Sequence, residues 1–229
     1  MNRSVDTLHG QQAALAGDVL RDKLRAVRDQ MPRAPGIRLH RAVSWLRCGE
    51  QYAESDEDLS FIALWIAFNS CCSVDDDRTD HNFREDFEMF AGKLVALDHE
   101  QRIYNCLWFN FSKFVRLLID SRWVFAPFWQ SQRDGNDSWK RPFTLSRKRA
   151  YQALADNEVP VLLSIIMDRL YVLRNQLVHG GATWQSELNR DQVRDGKRML
   201  LELVPVFIEI MFDVSEDWGE IYFPVIDGA

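Results

Sequence analysis

The chain has no apolar run long enough to cross a bilayer. Its longest apolar stretches, at 61–68, 159–167 and 199–212, are short or interrupted by Glu202, Pro205 and Glu209, whereas a spanning helix needs roughly 20 apolar residues. Residues 1–10 carry Arg3, Asp6 and His9 and lead into no apolar segment of signal-peptide type. The expected setting is therefore cytoplasmic, with no membrane partner. Cysteine is sparse: four in 229 residues, none in a Cys-x-x-Cys pair. The neighbours Cys71 and Cys72 would close a strained ring if joined, so Cys48, Cys71, Cys72 and Cys106 are expected as reduced, mostly packed thiols. Positive charge is not in excess. Lys and Arg number 28 against 34 Asp and Glu, a net charge of −6, which excludes nucleic-acid binding through bulk charge and leaves only a local basic patch for that role.

What remains is the composition of a globular protein: 46% hydrophobic, 12% aromatic and 27% charged. That is too apolar for a disordered chain, and the length suffices for one domain with a sizeable core. The apolar residues recur at three- and four-residue steps, the signature of amphipathic helices. A first helix is expected over 11–30, stopped by Met31-Pro32, with Pro32, Pro35 and Gly36 forming a hinge. A second follows from Ile37, and a third over 59–72 is apolar nearly all round and should sit centrally. Beyond a charged loop at 75–80, helices are expected over 83–97 and 103–119.

Residues 121–146, with Trp123, Phe125, Phe128, Trp129, Trp139 and Phe143 among Pro127, Gly135 and Pro142, read as an irregular insertion. A long helix should run from Asn157 to His179 and end on Gly180-Gly181. The last helix opens on Asn189-x-x-Gln192, a capping-box pattern, and should kink at Pro205. Only 221–226 looks strand-like. The fold class is all-α: a bundle of four to five core helices, with an N-terminal helix and hinge over 1–36 and a helical domain over 37–229 carrying the insertion around 121–146.

The end of the long helix concentrates polar chemistry. At about 100° per residue, Asp168, Asn175 and His179 fall within about 40° of one another, whereas Arg174 falls among Met167, Leu170, Leu173, Leu177 and Val178. A guanidinium on that apolar face needs an anion or a hydrogen-bonding partner, and Asn69 on the central helix is one candidate. Asp168 lies too far along the helix to orient His179 and is expected to face solvent. An Arg of fixed charge and a His able to give or take a proton are the groups that metal-free RNA cleavage needs: the cation steadies the phosphorane oxygens and the imidazole moves the proton.

Arg174-Asn175-Gln176-Leu177-Val178-His179, placed at a helix C-terminus, resembles the Arg-Asn-x-x-x-His ribonuclease motif of the HEPN superfamily. The segments 38–45 (Arg-Leu-His-Arg-Ala-Val-Ser-Trp) and 58–69 (Asp-Leu-Ser-Phe-Ile-Ala-Leu-Trp-Ile-Ala-Phe-Asn) resemble the opening helices of its Apea-like branch. The resemblance spans residues 38–185. It implies a helical bundle, metal-independent endoribonuclease activity, and a homodimer whose two motifs face each other across a cleft. It also implies a place in antiviral defence or a toxin system, with an antitoxin or defence-system partner. Arg174 and His179 would be catalytic, with Asn175 and Asn69 supporting. Gly181 stands where some HEPN toxins carry a tyrosine that a partner antitoxin modifies. A homodimer also makes chemical sense, because attack by a 2′-hydroxyl wants both a base and an acid, and each chain offers one His.

Lys140, Arg141, Arg147, Lys148 and Arg149, interleaved with aromatics, form the candidate RNA-binding patch. No cofactor or structural metal is expected, since His40, His81 and His99 lack ligand-spaced neighbours and Asp75-Asp76-Asp77 lacks the glycine of a calcium loop. Two other classes remain open. One is a catalytically inactive helical module binding a protein or nucleotide partner, whose mark would be Arg174 locked in an internal salt bridge. The other is a regulator that uses the Trp-rich insertion as its interaction surface.

Overall fold

The computed structural model describes residues 15–72, 83–187, 189–213, 218, 219, 221, 223 and 225, and the side chains of these except 83–86. Ten α-helices run through them: α1 (Ala16–Val27), α2 (Arg33–Tyr52), α3 (Glu57–Cys72), α4 (Phe83–Leu97), α5 (Arg102–Asn105), α6 (Ser112–Asp120), α7 (Ala126–Arg133), α8 (Lys140–Asp156), α9 (Val159–Val178) and α10 (Arg190–Asp213). Single 3-10 turns occupy Arg28–Gln30 and Arg122–Val124. The protein is an all-α helical bundle, and no described helix is long and apolar enough to cross a membrane. The expected charged loop at 75–80, the helix start at 11–14, His81 and Ile226 lie outside the described residues.

Helix α3 is the axis of the bundle, as its all-round apolarity predicts. Phe61, Leu64, Trp65, Ala67, Phe68 and Cys71 are buried on every side, among α2, α4, α9 and α10. Each such large side chain removed from water contributes about 1.5–3 kcal/mol. Phe68 packs edge-on against Phe87 at 5.4 Å, and Phe90 packs against Phe207 and Trp218 at 6.2 and 5.8 Å. Gly49 lets α2 approach α3 closely: a Cβ there would stand 2.5 Å from Leu64 Cγ. Asp56 caps α3, its Oδ1 accepting the Leu59 N–H at 2.9 Å. At the other end Arg38, 1% exposed, donates to the Cys71 carbonyl at 3.0 Å and the Gly219 carbonyl at 3.1 Å, satisfying a helix end that a cation suits.

Several expectations need correction, and proline explains two of them. The break between the first two helices is confined to Met31 and Pro32; Pro35 and Gly36, expected to share it, lie inside α2, which starts at Arg33. The first N–H groups of a helix have no acceptor within it, so a proline in the first turn sacrifices nothing. The same reason places Pro127, Pro142 and Pro160 in the opening turns of α7, α8 and α9. The insertion is accordingly more regular than expected, and its last part, 140–146, is the beginning of the 17-residue α8.

The helix expected over 103–119 is broken by a π-turn at Cys106–Asn110, where the Phe111 N–H reaches back five residues to the Cys106 carbonyl at 3.0 Å. The Asn189 capping box does not form. Asn189 has φ +58, while an N-cap side chain works from extended backbone. Ile221, Phe223 and Val225 lie in no strand.

Candidate functional site

Helices α8 and α9 form a hairpin that turns at Asn157, left-handed at φ +56. Its register is set by Arg169 Nη2 donating to Ser146 Oγ at 3.0 Å. Arg141 precedes Ser146 by five residues and Arg174 follows Arg169 by five, so the antiparallel geometry brings the start of α8 level with the end of α9.

That end closes as a Schellman motif. The Gly181 N–H donates to the Gln176 carbonyl at 2.7 Å and the Gly180 N–H to the Leu177 carbonyl at 3.3 Å, with Gly180 at φ +69. His179 is the C-cap residue and its side chain is exposed. Its N–H donates to the Asn175 carbonyl at 3.0 Å, and the Asn175 side-chain Oδ1 accepts from Arg174 Nη1 at 3.0 Å. Asn175 therefore meets the Arg174 guanidinium through its side chain and the His179 backbone through its carbonyl.

Arg174 is half-buried, and its partner is this neighbouring amide, not a residue on another helix. No carboxylate pairs with it among the described residues. Asn69 makes no hydrogen bond to Arg174. Helix α3 runs antiparallel to α9: Asp58, at its start, binds the chain beyond the end of α9, and Asn69 lies about 16 Å further along the axis. Its amide makes no hydrogen bond among the described residues. Asp168 is half-buried, not solvent-facing as expected.

Gln176 is a residue that sequence reasoning passed over. Its Nε2 donates to the Trp123 carbonyl at 2.7 Å, and its Oε1 accepts from Asn189 Nδ2 at 2.6 Å. It thus clips the aromatic segment on one side and the segment leading into α10 on the other. Trp123, 40% exposed, carries the Arg122 guanidinium over its ring at 4.7 Å. The other rings of this region mostly pack on one another: Phe128 meets Trp123, Trp129 and Trp139 at 5.1–5.2 Å, and Phe125 meets Phe143 at 5.2 Å.

The loop after the motif is bolted to the start of α3. Arg190 makes a two-pronged bond with Asp58, at 2.9 and 3.0 Å, while the Gln185 N–H donates to the same carboxylate at 2.8 Å. Trp184 Nε1 donates to Asp56 Oδ2 at 2.7 Å. An Asp in the first turn of a helix was visible in the sequence; that its partners lie some 130 residues away was not.

All five residues of the basic run are exposed on α8. Lys140 pairs with Asp137 at 2.5 Å and Arg147 with Asp120 at 2.6 Å. Arg141, Lys148 and Arg149 make no ion pair or hydrogen bond among the described residues. Among those residues no group of three His, Cys, Asp or Glu side chains is placed to hold a metal ion. No protein-family model, curated protein or solved structure matches the chain.

Proposed function

We propose that the chain is a metal-independent endoribonuclease of HEPN type, acting as a homodimer on single-stranded or looped RNA in antiviral defence or a toxin system. The observation that carries this reading is the state of Arg174. Its guanidinium is fixed through a neutral amide and bears no ion pair among the described residues, so its charge stays available to a phosphate. A binding-only module with Arg174 locked in an internal salt bridge would have left the motif electrostatically spent.

His179 stands exposed one residue before the chain turns away, where it can reach a substrate oxygen. In the proposed reaction one His179 takes the proton of the ribose 2′-hydroxyl, which attacks the adjacent phosphorus. The partner's His179 protonates the departing 5′-oxygen, leaving a 2′,3′-cyclic phosphate and a 5′-hydroxyl. Arg174 offsets the charge that builds on the phosphorane oxygens. The unpaired Arg141, Lys148 and Arg149, on the helix that begins level with the motif, suit the flanking phosphates, and exposed Trp123 suits a flanking base.

The test is cleavage of end-labelled single-stranded RNA in excess EDTA by the parent protein, His179→Ala and Arg174→Ala. Each variant is expected to lose at least about 100-fold in rate, the usual scale for a proton-transfer group, with cyclic phosphate ends on the parent's products. Equal cleavage by His179→Ala and the parent overturns the assignment.

A further inference from the structure

A cleft of about 810 Å³ opens between α4, the Arg122–Val124 turn with the start of α7, α8 and α9, within the size range of small-molecule sites. The motif does not line it. Its floor is the face of α9 that carries Val161, Ile165, Asp168 and Val172, and one wall is built by Pro142, Leu145 and Arg149 of α8. These groups are largely apolar, and two kinds of polar group interrupt them.

The first kind is already engaged. Arg169, 3% exposed, donates to Ser146 and lies over the Phe125 ring at 4.4 Å. The second kind is not. Arg149 on α8 and Glu88 on α4 both line the cleft, are both exposed, and make no ion pair or hydrogen bond, with each other or with any other described residue. An unpaired cation and an unpaired anion on different helices, separated by apolar floor, are complementary to a molecule that carries an acid at one end and a hydrogen-bond donor at the other.

We propose that this cleft binds a small mono-anionic organic molecule with an apolar ring body and an N–H or O–H donor. Its acid group meets Arg149, its donor meets Glu88, and its rings lie on Ile165, Val172 and Leu145. A nucleic-acid strand suits the cleft less well, because the unpaired Glu88 lines it and a strand brings a phosphate at every step. None of the cleft's lining residues belongs to the Arg174–His179 motif, and Arg149 is the one residue it shares with the basic patch assigned to flanking phosphates.

The probe is 8-anilinonaphthalene-1-sulfonate, which joins one sulfonate, one anilino N–H and an apolar ring system, read by fluorescence and by calorimetric stoichiometry on the full chain. Its uncharged relative N-phenyl-1-naphthylamine serves as the second probe. Arg149→Glu and Leu145→Trp both alter exposed positions, and Arg141→Glu, on the same helix but off the cleft, is the control. Expected is one sulfonate probe per chain, bound at least tenfold more weakly by Arg149→Glu and by Leu145→Trp and unchanged by Arg141→Glu. The uncharged probe should be weakened by Leu145→Trp alone.

If both cleft variants bind the sulfonate within twofold of the parent, the site is elsewhere and the proposal fails. If only Leu145→Trp weakens it, or if Arg141→Glu weakens it as much as Arg149→Glu, the specific role of Arg149 fails. A single-stranded oligonucleotide that displaces the probe at lower concentration than a monomeric aromatic carboxylate overturns the assignment of a small-molecule ligand.

Discussion

Arg174 Nη1 lies 3.0 Å from Asn175 Oδ1, and this one hydrogen bond holds a guanidinium in place without cancelling its charge. An amide oxygen is a good acceptor with no net charge. The geometry makes Asn175 a positioning residue and separates two effects that substitution can test.

Asn175→Ala removes the acceptor and leaves Arg174 charged but loose. Asn175→Asp keeps an acceptor and neutralises the cation. RNA cleavage is expected to fall about tenfold in Asn175→Ala, the scale of one hydrogen bond, and further in Asn175→Asp. A higher rate in Asn175→Asp than in Asn175→Ala contradicts the role assigned to a free charge. Increasing salt should slow the parent more steeply than Asn175→Asp.

The clamp between Arg190 and Asp58 secures the segment that follows the motif. Asp58 is buried, with the Gln185 N–H on the same carboxylate. Arg190→Ala leaves that charge half-compensated, which should cost about 2 kcal/mol, below the range for fully buried pairs because the Arg190 side chain is 20% exposed. In a chain of this size the melting temperature should drop by about 4–8 °C. Faster amide exchange at 182–187 should accompany it.

Two glycines should respond to alanine for different reasons. At Gly180 a Cβ meets nothing within 4 Å but the backbone is left-handed, so the cost is conformational, about 1 kcal/mol. At Gly49 the Cβ collides with Leu64, and overpacking of this kind costs about 1–3 kcal/mol. Chemical denaturation of the two variants should rank Gly49→Ala as the less stable, and in a double-mutant cycle Leu64→Ala should cost less on the Gly49→Ala background than on the parent, while adding independently to Gly180→Ala.

The buried thiols set a limit on alkaline stability. Burial pushes Cys71 and Cys106 up to about 12, whereas in the unfolded chain they ionise near about 8.5. Between those values the unfolded state gives up protons that the folded state keeps, so stability falls as pH rises through the window and is unaffected by these groups below it. Cys48 is the one cysteine with appreciable exposure. A disulfide reagent at pH 8 should label Cys48 in the native protein and Cys71, Cys72 and Cys106 only after denaturant is added.

Periodicity found the helices whose apolar stripes face one core. It located α3, α4 and α9 to within a few residues, and the Gly180-Gly181 stop was legible because a left-handed C′ position selects glycine so strongly. It failed where position within a helix matters more than residue type. Pro35 and Pro142 look like breakers until one knows that they fall in first turns, where the amide they lack has no acceptor.

The candidate pair Arg174 and His179 was visible as a local pattern, and so was the nearness of Asn175. The partners that arise from chain reversal were not: Gln176 with Trp123 and Asn189, Asp58 with Arg190, and the cleft lined by Glu88 and Arg149. None of these has a signature in residue spacing, because each depends on where two distant helices come to lie. Nor does likeness of a segment tell which side chains meet: Arg174 takes its acceptor from Asn175 and not from Asn69.

The left-handed residue at Asn157 folds α8 back along α9. Arg141 and Arg174 stand at the open end, each about 25 Å from that turn. Since the Arg169–Ser146 bond joins the two helices midway, a change at either tip is felt by the other without passing through the turn.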